Sequence, residues 1–159
     1  MRMREITFAL FFAVLTASAC GNAAGTQGGQ LKDGWYHVVD SGQGAVARKL
    51  GADTYYLHPD PILTTDDFET LTPESFPPDN TLWQVVAHLD EPGTKRFAEA
   101  TERLIRQDLI FVIDDSLWNT PVRIQSKIPN GVITINGNAT FSKEDAETLI
   151  ERIEAGKTR

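Results

Sequence analysis

Five consecutive apolar residues, Leu109-Ile110-Phe111-Val112-Ile113, constrain this chain more than any other segment. A run this short, closed by the Asp114-Asp115-Ser116 turn, reads as a strand. Successive side chains leave a strand on opposite faces, so an unbroken apolar run marks a central strand buried on both. Leu82 to Leu89 reads differently, as a half-buried strand. Trp83, Val85, Ala87 and Leu89 share one of its faces, and Leu82, Gln84, Val86 and His88 the other.

A shorter strand is expected at Trp35–Val39, then a short polar-apolar stretch through Leu50 after the Ser41–Gly44 turn, then strands at Thr54–Leu57, Val122–Ile124 and Val132–Ile135. Pro59 and Pro61 end the third of these by removing donors. Pro129-Asn130-Gly131 suits a hairpin turn between the last two, because Asn and Gly tolerate positive φ. Three helices are expected. A short one begins near Asp66, capped by Thr64 or Thr65, with Phe68 and Leu71 facing the core; Pro73, Pro77 and Pro78 then enforce a loop to Asn80. The second starts at Asp90-Glu91-Pro92 and turns Phe97, Ala100, Thr101, Leu104 and Ile105 to one side through about Arg106. The third has Ser142 as N-cap with Asp145 in the capping-box place, an apolar side of Ala146, Leu149, Ile150 and Ile153, and Gly156 as its stop. The sum is an α+β domain, an antiparallel or mixed sheet packed by about three helices.

The N-terminus adds an address. Arg2 and Arg4 precede an apolar run from Ile6 to Leu15, followed by Thr16-Ala17-Ser18-Ala19-Cys20-Gly21. This is the layout of a secretory signal, too short for a comfortable membrane span. The segment resembles a bacterial lipoprotein signal, although Ala17 stands where that family more often has Leu. The resemblance implies cleavage before Cys20 and an acylated Cys20 anchoring the mature chain to an extracytoplasmic membrane face. An ordinary signal cut nearby is the alternative. Gly21 in place of Asp favours the outer membrane where two membranes exist. Residues 1–19 then form the signal and the small polar residues of 20–34 a flexible tether, with one folded domain over 35–155.

Composition excludes several function classes. The 159 residues carry 22 acidic and 15 basic side chains, a formal charge of −7, and no basic block, which argues against nucleic acid as a partner. One cysteine excludes an internal disulfide and a thiolate-rich metal cluster.

The stretch from Tyr55 to Ile153 resembles the periplasmic head of the first large extracytoplasmic domain in the SecD family of protein-export membrane proteins. Tyr55-Tyr56-Leu57 followed by Pro61-Ile62-Leu63-Thr64-Thr65-Asp66-Asp67 is similar to that family's aromatic strand with Pro-Val-Leu-Thr-Gly-x-Asp. Leu89 to Ala98 is similar to its Phe-x-x-x-Gly-Ala-x-x-Phe-Ala helix start. Phe111-Val112-Ile113-Asp114-Asp115 and Thr120-Pro121-Val122 resemble Ile-Val-Leu-Asp-Gly and Ala-Pro-x. Ile128-Pro129-Asn130-Gly131, Ile135-Asn136-Gly137-Asn138 and Phe141-Ser142-Lys143-Glu144-Asp145-Ala146 resemble its closing Ile-x-x-Gly, Ile-x-Gly-x-Phe-Ser/Thr-x-Glu-x-Ala. Two departures stand out. Asp115-Ser116 replaces the Gly after the aspartate, and Ala139-Thr140 is an insertion. The chain also has none of that family's transmembrane helices and is short for its base domain, so the resemblance implies the head's contact with emerging polypeptide and not the proton-driven motor.

No nucleophile is expected. Gly-x-Ser-x-Gly and Ser-x-x-Lys are absent, Ser142 serves as a cap, and Gly42 and Gly44 lack the Lys-Ser/Thr of a phosphate loop. No catalytic residue, metal or cofactor is expected. A small-ligand or hydrolytic role would have to use His58, Asp60 and His88, which lack metal-ligand spacing. Asp114-Asp115 could pair as carboxylates but reads as a turn. The apolar candidates are Leu117 and Trp118, expected at a hairpin tip where they could anchor a protein or unfolded polypeptide, and Phe76 in the proline loop. The sequence also allows Leu117 and Trp118 to fold back over the sheet.

Overall fold

A computed structural model describes residues 29–42, 44–76 and 82–157; the signal segment, Cys20, most of the expected tether and the Pro77–Asn80 loop lie outside them. In chain order the elements are β1 (Gly34–Val39), β2 (Val46–Leu50), β3 (Asp53–Leu57), β4 (Leu63–Thr64), a 3-10 turn (Thr65–Asp67), β5 (Phe68–Ser75), β6 (Trp83–Leu89), α1 (Glu91–Arg103), β7 (Asp108–Ile113), β8 (Ser116–Leu117), β9 (Val122–Arg123), β10 (Val132–Asn136) and α2 (Lys143–Lys157). The first sheet runs β2-β3-β1-β7-β8, with β4 on β1 and β9 on β7; the second runs β10-β6-β5. All these pairings are antiparallel.

The double-sided burial expected of Leu109–Ile113 organises the molecule. Leu109, Phe111 and Ile113 join the main core with Trp35 of β1, Val85, Ala87 and Leu89 of β6, Ile133 and Ile135 of β10, Phe97 of α1, and Ala146, Leu149 and Ile153 of α2. Ile110 and Val112 point the other way, into a second cluster with Tyr36, Val46, Leu57, Leu117 and Leu31. The first sheet curls around this second cluster until Arg48 of β2 reaches Asp115, in the β7–β8 turn, at 2.5 Å. Leu31, which the sequence places in the tether, is packed here. Among the described residues no helix is long and apolar enough to cross a membrane.

Several local expectations are corrected. The helix near Asp66 is a single 3-10 turn, in which Thr64 N–H donates to the Asp67 carboxylate at 2.9 Å. The chain then continues as β5, not as a loop, and Pro73 sits inside that strand opposite Val85. An edge strand tolerates a proline whose missing N–H faces solvent. Ile128–Gly131 does not join a hairpin, since β9 pairs with β7 and β10 with β6; Gly131, at φ 66°, carries the crossing between sheets. Helix α1 ends at Arg103 and leaves Ile105 exposed, and α2 runs through Gly156 to Lys157. The N-caps of both helices behave as expected. Asp90 accepts from Gly93 N–H, and Ser142 and Asp145 bond reciprocally at 2.9 and 3.2 Å. Those bonds from Ser142 hold the Asp145 carboxyl below its ordinary range.

Candidate functional site

The β7–β8 hairpin turns on Asp114 and Asp115, both at positive φ (50° and 59°), so Leu117 and Trp118 follow the tip instead of forming it. Leu117 is 7% exposed and committed to the second cluster. Trp118 N–H donates to Phe111 C=O, which lays the side chain back against the main core. There its indole N–H donates to Asn136 C=O at 3.2 Å, joined by Asn119 Nδ2 at 2.7 Å. Phe141 meets the indole edge to face at 6.0 Å, and the Arg152 guanidinium lies over the ring at 5.5 Å, held by Asp114 at 2.8 Å.

Trp118 thus separates two shallow concavities where the sheets meet. One, about 470 Å³, is lined by Phe141, Asp145, Thr148 and Arg152. The other, about 290 Å³, opens between β9 and β10 over Trp35 and Phe111, with Val122 and Thr120 on one wall and Thr134 to Gly137 on the other; none of its lining side chains is charged. Val122 is 51% exposed at that cleft. Sequence reasoning passed over Val122 and Thr134. The available signal was that Val132–Asn136 carries neither proline nor charge.

Phe76 is 39% exposed, and its N–H donates to Leu82 C=O at 2.8 Å, where Leu82 is also exposed. The register of the second sheet puts this pair at the end where Asn136 lies, so Phe76 and the Trp118 contact share one end of that sheet.

His58 and Asp60 are brought together, with the Asp60 N–H donating to His58 Nδ1 at 3.1 Å. They line a concavity of about 550 Å³ with His37, Arg96, Glu99 and Arg103. His88 does not join them; it lies on β6, opposite Thr70 and Val132. Among the described residues no three His, Cys, Asp or Glu side chains converge as metal ligands. Asp114 and Asp115 do not act as a carboxylate pair. Asp114 takes Arg152, whereas Asp115 takes Arg48 and the Leu31 N–H.

The family described as SecDF, P1 head subdomain, matches residues 42–158. Among solved structures, one of SecDF in its super-membrane-facing form shares 22% identity and a TM-score of 0.56, covering 71% of this chain and 17% of that one. Another, of SecDF as a membrane component that enhances protein export, shares 18% identity and a TM-score of 0.60, covering 80% of this chain and 64% of that one. This chain therefore spans less than two thirds of either, and at these identities the likeness is one of fold. No curated protein matches. The curled first sheet, the second sheet and the two packing helices form the architecture that this match describes, and the chain belongs to the SecDF P1 head subdomain family.

Proposed function

We propose that this chain is a non-catalytic interaction domain of the bacterial envelope, anchored by an acylated Cys20, that binds protein or unfolded polypeptide as an accessory in export or envelope assembly. The observation that carries the reading is the uncharged cleft beside Trp118, floored by Trp35 and Phe111, in a head of this family. Aromatic and aliphatic surface beside a protein's own core is the chemistry that anchors a polypeptide partner. The SecDF structure it resembles is that of a component that enhances protein export, which supports a client of the same kind.

Photocrosslinking tests this in cells. A photoreactive residue at Val122, and another at Phe76, is expected to capture exported polypeptides or envelope-assembly proteins in the membrane fraction. Silence from both sites in a folded, membrane-bound protein overturns the reading. Metabolic labelling with a palmitate analogue checks the anchor, with label expected on the wild type and absent from Cys20→Ser.

A further inference from the structure

The second sheet has two outer strands, β10 and β5, and they are not equivalent. Antiparallel neighbours alternate between residues that bond across the pair and residues whose backbone groups face away. Leu89 N–H donates to Gly131 C=O at 2.8 Å, so the register turns Ile133 and Ile135 toward β6 and Val132, Thr134 and Asn136 outward. At the two ends of that edge, Asn130 Oδ1 accepts from Val132 N–H, and Trp118 and Asn119 donate to Asn136 C=O. Between them Thr134 presents a backbone N–H and C=O with no partner among the described residues.

On β5 the same reasoning starts from Phe76 N–H donating to Leu82 C=O, which turns Thr72 and Glu74 toward β6 and Leu71, Pro73 and Ser75 outward. Pro73 therefore removes the donor in the middle of that edge, a device that blocks strand addition. Strand β10, Val-Ile-Thr-Ile-Asn, has no such guard.

The open edge lines the uncharged cleft. Thr134 and Asn136 form one wall, Val122 the other, and Trp35 beneath is 6% exposed with an indole N–H that finds no acceptor among the described residues. We propose that the edge of β10 at Thr134 takes an extended, uncharged segment of a client polypeptide as an added strand between β10 and β9. This rests on the partner-binding reading above and specifies its mode and ligand class. A donor and an acceptor presented together by one residue call for another backbone, since a peptide matches both at strand spacing. A cleft whose lining holds no counter-charge disfavours burying a charged side chain of either sign, and the net charge of −7 further opposes an acidic segment. Apolar Val122 offers the added strand a side-chain contact.

The test titrates the full-length protein in detergent with a fluorescent peptide of alternating Val and Thr, and with its analogue N-methylated on alternate residues. Saturable binding is expected for the parent peptide, weakened by about tenfold or more on N-methylation, the size of a lost backbone hydrogen bond or two. Thr134→Pro, which removes an N–H that β6 does not use, is expected to lose binding to the same extent with its melting transition intact, and Thr134→Val is expected to bind as wild type. Equal binding by Thr134→Pro or by the N-methylated peptide overturns the proposal. So does concentration-dependent dimerisation abolished by Thr134→Pro without peptide binding, which would give the edge to a second copy of the chain. If Thr134→Pro proves unfolded, the two peptides on wild-type protein still decide. No peptide binding with crosslinking from Phe76 retained sinks the edge and leaves the partner reading standing; loss of both sinks both.

Discussion

Asp115 holds a backbone conformation that side chains other than Asn and Asp seldom adopt, at φ 59° directly after Asp114 at 50°. The SecD-like pattern has Gly there. What Asp115 gains is its carboxylate, which accepts from Leu31 N–H at 2.8 Å and from Arg48 Nη2 at 2.5 Å. Asp115→Ala keeps the strain and loses those bonds, an expected cost of about 2–3 kcal/mol; Asp115→Gly loses the bonds but sheds the strain and should cost about 1 kcal/mol less. Urea denaturation of the two variants measures the difference. Burial pushes the Asp115 carboxyl upward, but the Arg48 and Leu31 hydrogen bonds and the Arg48 charge outweigh it and leave the group below its ordinary 3.8. A depressed carboxyl contributes stability above its unfolded value and loses it as pH falls through the folded one. Asp115→Asn is therefore expected to flatten the acid limb below about pH 4, read by melting temperature against pH. Tyr36 has the opposite sign. Burial of its phenol is the dominant influence and pushes it up to about 12 from 10.0, while the hydroxyl donates to Lys32 C=O at 2.9 Å. Its contribution is complete below pH 10 and is lost as pH rises toward 12. Tyr36→Phe should remove that alkaline limb in the same experiment.

At the scale of elements, Thr101 shows how a helix face can hold a polar group. It is wholly buried in α1, donates to Phe97 C=O at 2.8 Å and accepts from Ile128 N–H at 3.0 Å. Thr101→Val keeps the shape and strands the Ile128 N–H, with an expected loss of about 1–2 kcal/mol in chemical denaturation. The sequence placed Thr101 on the apolar face correctly, because spacing of 3.6 residues is local information. Its partner was hidden, since Ile128 lies 27 positions on, in the connection between β9 and β10. The same division runs through the fold. Strand β7, β6, the two long helices and their N-caps were legible from runs, alternation and capping residues. Strand β5 was not, because Pro73 argues against a strand until one knows that β5 is an edge. The Pro129-Asn130-Gly131 turn was legible as a turn, but not the sheets it joins. Trp118 stood out by composition; the cleft beside it arises from Val122 and Thr134, twelve positions apart in sequence and unremarkable singly.

For the whole molecule, β7 makes two cores into one cooperative unit. Ile110 and Phe111 are adjacent but belong to opposite clusters. Ile110→Ala should cost about 2–5 kcal/mol and Phe111→Ala about 3–5 kcal/mol, each lowering a single shared transition in calorimetry, not splitting it. Two separate transitions would mean that the clusters melt independently. The clasp at the β7–β8 turn has a mechanical corollary. Asp115 grips the Leu31 amide, and Arg48, which it also holds, grips Gly29 C=O at 3.0 Å. Traction on the chain upstream of Gly29 is met by these bonds in parallel, as a rope is made fast around a cleat. The cleat is rooted on the most deeply buried strand, so the load reaches the centre of the molecule before it can begin to draw β1 out from between β3 and β7.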